Sequence, residues 1–265
     1  NYVSFAGFYW RIIRINGNGS IRMIYDGTVA HANGEISEDR QAGTSTYSLG
    51  TKNNMFYGYM YTSGEVHGTS TSSDIKTAND NFYASNLASY ASYFDVNAGF
   101  CGDRSTLNLS SGVGTGTVTT YLKGYLTVAI ASPDLSCENV SDLYTISSST
   151  KGNKALAYPL GLITADEVML AGHMGGFFDG TYSYQKATPN SYLTIGNSFW
   201  TITPVGYYNT FGSAEWDVVV FDVTSSGLLN DNSSYFDYGL RPVINIRSDV
   251  TVSGDGTMGS PYVFS

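Results

Sequence analysis

Phe199-Trp200-Thr201-Ile202-Thr203-Pro204, a run rich in Tyr, Asn, Ser and Gly, Trp216 to Val223, a second such run, and Gly239-Leu240-Arg241-Pro242-Val243-Ile244-Asn245-Ile246 make up residues 199–246. The apolar, β-prone pieces read as short strands in a sheet, and they hold two polar, aromatic-rich loops. Those loops supply tyrosines, asparagines and serines that a core does not need. Tyr207, Tyr208, Asn209, Phe211 and Ser213 are the candidate contacts of the first loop. Asn230, Asp231, Asn232, Tyr235, Phe236, Asp237 and Tyr238 are those of the second. Tyrosine offers large, rigid contact area at low entropy cost, and Ser, Gly and Asn offer adaptable hydrogen bonds, so the mixture points to recognition. Glu215-Trp216-Asp217 joins the candidates as carboxylates beside an aromatic ring, against the simpler reading of Trp216 as core. Calcium takes six to eight oxygen ligands, far more than this triplet offers, so no metal or other cofactor is assigned.

Composition agrees with a loop-presenting β frame. Of 265 residues, 42% are apolar and only 13% charged, with 30 glycines and 22 tyrosines, which favours short strands, tight turns and irregular loops. The class that composition suggests is β-rich or α+β, and the expectation taken forward is α+β with mixed antiparallel sheets, two helices and long irregular loops, in a single domain over 1–265, since neither a linker nor an internal repeat divides the chain. A formal charge of −9 argues against nucleic acid as a partner, because phosphate binding needs clustered Lys and Arg. No stretch is long and apolar enough to span a membrane, and Asn1-Tyr2-Val3-Ser4-Phe5 is unlike a signal peptide. The chain therefore reads as a processed piece whose targeting segment lies upstream. Cys101 and Cys137 either pair or stand as two buried free thiols. Pairing is favoured, and it would imply an extracytoplasmic setting.

Along the chain, Phe8 to Ile15 and Ser20 to Tyr25 flank Asn16-Gly17-Asn18-Gly19, a β-hairpin pattern with Trp10 and the isoleucines inward and Arg11 and Arg14 on the other face. Ala30 to Ser73 reads as a long structured loop with one β-like run, Tyr57 to Tyr61. Ser73 caps a helix expected over 73–95, and Thr164-Ala165-Asp166-Glu167 is a capping box opening a second, which stops at Gly172. Gly112 to Thr117 lacks the lysine and following helix of a phosphate loop and reads as a turn.

Catalytic patterns are weak. His31, His67 and His173 fit no metal motif and read as structural. Glu35, Glu38 and Asp39 beside Arg40 read as a solvated ion pair rather than a catalytic pair, and a glycosidase would need two carboxyls about 5–10 Å apart.

Tyr9 to Gly17 with Gly19 to Arg22, Gly161 to Glu167, Phe199-Trp200-Thr201 and Gly239 to Asn245 together resemble the C-type-lectin-like domains of bacterial surface and pilin-linked proteins. The likeness covers nearly the whole chain. It implies that the first and last strands pair, that the domain is an extracellular, cell-surface, adhesin-like module for a protein or other macromolecular ligand, and that membrane or pilus attachment comes through a segment this chain lacks. The Gly-x-Arg-Pro-Val ending also resembles variable proteins of diversity-generating retroelements, where mutated adenines turn Asn codons into a restricted set of residues. Residues 207–214 and 230–239 consist entirely of that set. Formylglycine-generating enzymes share the fold, but their cysteine pair lies nearer the C-terminal half, and the Glu-Pro-Asn sugar motif of animal lectins is absent. A binding domain and no enzyme is the reading; a structural subunit of a pilus or filament, and an enzyme on the same fold, are the alternatives.

Overall fold

Asn16 N–H donates to Ser20 O and Gly19 N–H to Asn16 O, both at 2.8 Å, and Gly19 takes φ +83°, a conformation that suits a residue without Cβ. This turn makes the first hairpin of a computed structural model that describes residues 1–49, 57–107, 119–147, 151–174, 187–208 and 217–265, with the strands 177–178 and 181–182 by backbone alone. In chain order the main strands are β1 (Tyr2–Phe5), β2 (Phe8–Ile15), β3 (Ile21–Gly27), β4 (Thr44–Thr46), β5 (Thr120–Tyr121), β6 (Leu160–Gly161) and β7 (Phe199–Tyr208). They continue with β8 (Asp217–Val223), β9 (Leu229–Ser233), β10 (Asp237–Gly239), β11 (Val243–Ile246), β12 (Val252–Ser253) and β13 (Tyr262–Phe264). The α-helices are α1 (Asp74–Asn86), α2 (Lys123–Ala129) and α3 (Ala165–Leu170).

One sheet runs β6-β11-β3-β2-β1-β13-β12 and a second runs β9-β8-β7-β10-β4, with β5 also paired to β7. The first and last regions of the chain meet in the first sheet, where Val3 faces Tyr262 in parallel. The architecture is α+β and mostly sheet. Trp10, Met23, Tyr25, Leu87, Phe94 and Ile246 form one buried cluster between the first sheet and α1. A larger one gathers Trp200, Val219, Phe221, Leu162, Val168 and Leu193 around the second. Among the described residues no helix is long and apolar enough to cross a membrane.

Several expectations are corrected. Register shifts between Tyr9 and Trp10 and between Ile12 and Arg14 break the two-residue alternation, as bulges do, so Ile12 and Ile13 are only half-buried while Arg11 is buried. Ile15 is exposed and Arg22 buried. Ser73 does cap α1, its Oγ accepting from Lys76 N–H at 3.2 Å, but the α-helix ends at Asn86 and a 3-10 turn over Ala88–Tyr93 follows Leu87. A further helix, α2, has Leu122 at its N-cap with no side-chain cap bond, so it carries no start signal. The capping box of α3 is complete: Thr164 Oγ1 accepts from Glu167 N–H and Glu167 Oε2 from Thr164 N–H. Arg40 does not make a solvated loop pair with Glu38 or Asp39; it is fully buried and bonds Asp26 at 2.8 Å. Gly112 to Thr117 lies outside the described residues.

Candidate binding surface

The ten residues of β7 are nearly all buried, because β8 pairs along one edge while β10 at Phe199 and β5 at Gly206 and Tyr207 flank the other, and the core packs against it. Pro204 is accommodated where the register of the β7–β8 ladder shifts on both sides of it, as expected for a residue with no N–H to give. Near the start of the strand, Trp200 is fully buried and its indole N–H donates to Ser45 O on β4 at 3.0 Å. From Trp200 a row of rings climbs to the surface. Tyr238 lies 4.8 Å from Trp200, Phe236 stacks on Tyr238 at 5.7 Å, and Tyr235 lies 4.8 Å from Phe236. Phe236 and Tyr238 are half-buried, while Tyr235 is 46% exposed. Gly239 lets this strand close in: a Cβ there would stand 2.2 Å from Gln41 Oε1 and 3.1 Å from Phe199 Cβ.

Two carboxylates sit on opposite faces of the same ladder. Asp222 pairs with Asn230 and Phe221 with Asp231, and successive strand residues point to opposite sides. Asp222 is fully buried; Oδ1 accepts from Asn232 Nδ2 at 2.8 Å, and Oδ2 has no hydrogen-bond partner among the described residues. Burial pushes its pKa up to about 7 against the pull of the Asn232 bond, and the charge of Asp231 adds to the rise. Across the sheet, Tyr208 Oη donates to Asp231 Oδ2 at 2.5 Å. Burial raises the Asp231 carboxyl despite that bond, and burial and the Asp231 charge push the Tyr208 phenol far above its usual value. Tyr121 lies 5.4 Å from Tyr208 and stacks on Tyr125 at 4.2 Å. With the sheet between them, the two acids do not form the paired arrangement of acid–base catalysis. The surface offers ring faces, amides and a phenol.

The structure redraws the expected loops. Residues 230–239 are not one loop: Asn230, Asp231 and Asn232 belong to β9 and are half-buried, and Asp237 and Tyr238 belong to β10. Tyr207 is buried to 1% exposure because its side of β7 faces the core, so it is no surface contact. Asp217, opposite Tyr208, is half-buried. Asn209, Phe211, Ser213, Glu215 and Trp216 lie outside the described residues. Sequence reasoning missed Asp222, although a lone acid within Val218 to Val223 was a readable signal. It also missed Tyr121, Tyr125 and Ser45, which only tertiary pairing brings here.

Cys101 and Cys137 are joined in a disulfide. Asp103 lies beside them, but bonded sulfurs leave no thiolate to ligate a metal. The histidines lie elsewhere: His31 between Glu35 and Asp39, His67 on Asp142, and His173 buried between Gly227 O and Ser191 Oγ. No family model, no curated protein and no solved structure matches this chain.

Proposed function

We propose that the chain is an extracellular, adhesin-like binding domain of the C-type-lectin-like kind, without enzymatic activity, which takes a protein or other macromolecular ligand on the ledge formed by Tyr235, Phe236, Asp237 and Tyr238. The observation that carries this reading is the row of rings that begins at buried Trp200 and ends at Tyr235, 46% exposed. Rings already stacked in place lose little freedom on binding, which is the condition under which aromatic anchors contribute most to affinity. Asn230 and Asn232, on the same face of the sheet as Trp200, supply amide groups on the neighbouring strand.

The disulfide supports an oxidising, extracytoplasmic setting, and the pairing of β1 with β13 supports the lectin-like topology. Separation of Asp222 and Asp231 by the sheet supports binding over catalysis. The test is an array of glycans and extracellular proteins probed with the wild-type domain and with Tyr235→Ala/Phe236→Ala. Saturable binding that the folded double variant loses is the expected result. Binding that survives the double change places recognition elsewhere.

A further inference from the structure

Lined by Ile12, Ile13 and Arg14 of β2 and by Glu167 and Leu170 of α3, a cleft of about 390 Å³ lies in the structure, within the range of small-molecule sites. Of these residues, Arg14 and Glu167 belong to one of two buried ion clusters with an unusual balance of charge. Asp26 is the shared carboxylate of Arg11, Arg40 and Arg241, and Glu167 that of Arg14 and Arg22. Two carboxylates thus hold five guanidiniums in a chain whose formal charge is −9. Among the described residues Glu167 is the only carboxylate lining the cleft, and it is already taken up by both arginines and by Thr164 N–H.

Arg14 is the cation that faces the opening. Its Nε bonds Glu167 at 2.9 Å, and its side chain keeps 30% exposure. Neither Nη group has a partner among the described residues. Asn33 also lines the cleft; its Oδ1 accepts from Arg11 at 2.8 Å, and its amide N–H groups have no partner among the described residues. The same cleft has apolar lining that is uncovered: Leu135 is 44% and Leu170 57% exposed, and Ile12 also lines it. A guanidinium fork matches a carboxylate in two parallel hydrogen bonds, and uncovered leucines favour an apolar body.

We propose that this cleft binds a small organic carboxylate with an apolar body, the carboxylate on the Arg14 fork and the Asn33 amide, the body against Ile12, Leu135 and Leu170. The site is separate from the aromatic ledge and stands whether or not that ledge binds a ligand. The probe is hexanoate, titrated into the isotope-labelled wild-type domain, with hexanamide as the uncharged control of the same shape. Saturable shifts of the backbone amides of residues 12–14 and 170–171 with hexanoate, absent with hexanamide, are expected. Arg14→Gln weakens hexanoate tenfold or more, and Leu170→Glu, at an exposed position that spares the core, removes it by setting a like charge in the wall. Equal response to hexanoate and hexanamide, no saturable shift, or unchanged affinity in Leu170→Glu overturns the proposal, and the last outcome decides even where Arg14→Gln does not fold.

Discussion

Arg40 and Arg241, from opposite ends of the chain, donate to the same oxygen, Oδ1 of Asp26, at 2.8 and 2.9 Å. Both guanidiniums and the carboxylate are fully buried, and Arg241 also reaches Tyr25 O at 2.9 Å. The knot ties β3, the 3-10 turn Glu38–Arg40 and the segment leading into β11. Removing one member of a buried ion cluster costs more than the cluster contributes net, because the remaining charges stay buried without compensation.

Asp26→Asn is therefore expected to destabilise the domain by about 3–5 kcal/mol, read as a lower urea midpoint with unchanged slope. Loss of under 1 kcal/mol would show that the arginines satisfy themselves on carbonyls alone.

His31 carries a pH signature. Burial pulls its imidazole down, but the hydrogen bonds to Asp39 and Glu35 outweigh it and the net shift is upward. Asp39, which burial raises, ends below its usual range through bonds from His31 and Thr28, and Glu35 is lowered first by its bond to His31. A raised folded pKa gives stability that is fully present below the unfolded value of about 6.5 and is lost as pH rises through the folded pKa. The carboxylates set the lower edge, since their contribution falls away as pH drops through their own folded values. The stability gap between wild type and His31→Gln should be widest near about pH 5–6 and narrow above it. A gap that is flat with pH contradicts the double clamp.

Asp222 runs in the opposite sense. Its folded pKa of about 7 lies above the unfolded value, so the folded state binds more protons between the two. Stability falls as pH rises through that window and levels off above it. Asp222→Asn is expected to gain about 1–3 kcal/mol at pH 8 and little at pH 4, measured by thermal unfolding across pH. A variant weaker than wild type at pH 8 would contradict a carboxylate held protonated by burial.

The Cys101–Cys137 bond spans 36 residues. Replacing both by alanine should cost about 3–4 kcal/mol in the chain-entropy description, and reductant should lower the wild-type midpoint by the same amount while leaving the double variant unmoved. Equal sensitivity of both proteins to reductant would contradict this.

What was readable from sequence divides along local and non-local lines. The Asn-Gly turn, the Ser73 cap and the Thr164–Glu167 box announce themselves because each is satisfied within a few residues. The burial of Arg11, Arg22, Arg40 and Arg241 does not, since their partners lie far along the chain and charged residues are seldom fully buried unless paired. Asn230 to Ser233 read as loop because polar residues are poor strand formers; the β7–β8 ladder overrides that preference by offering an edge to pair with. Tyr207 and Tyr208 look alike in sequence, yet strand alternation sends one to the core and the other to Asp231.

Hydrogen–deuterium exchange of the domain with and without a ligand selected on the array tests the central claim most directly. Recognition on the aromatic ledge predicts new protection over residues 234–239 and the adjoining 44–46 strand, with the first sheet unchanged. Protection confined to other segments, with 234–239 exchanging as in the free domain, would contradict it.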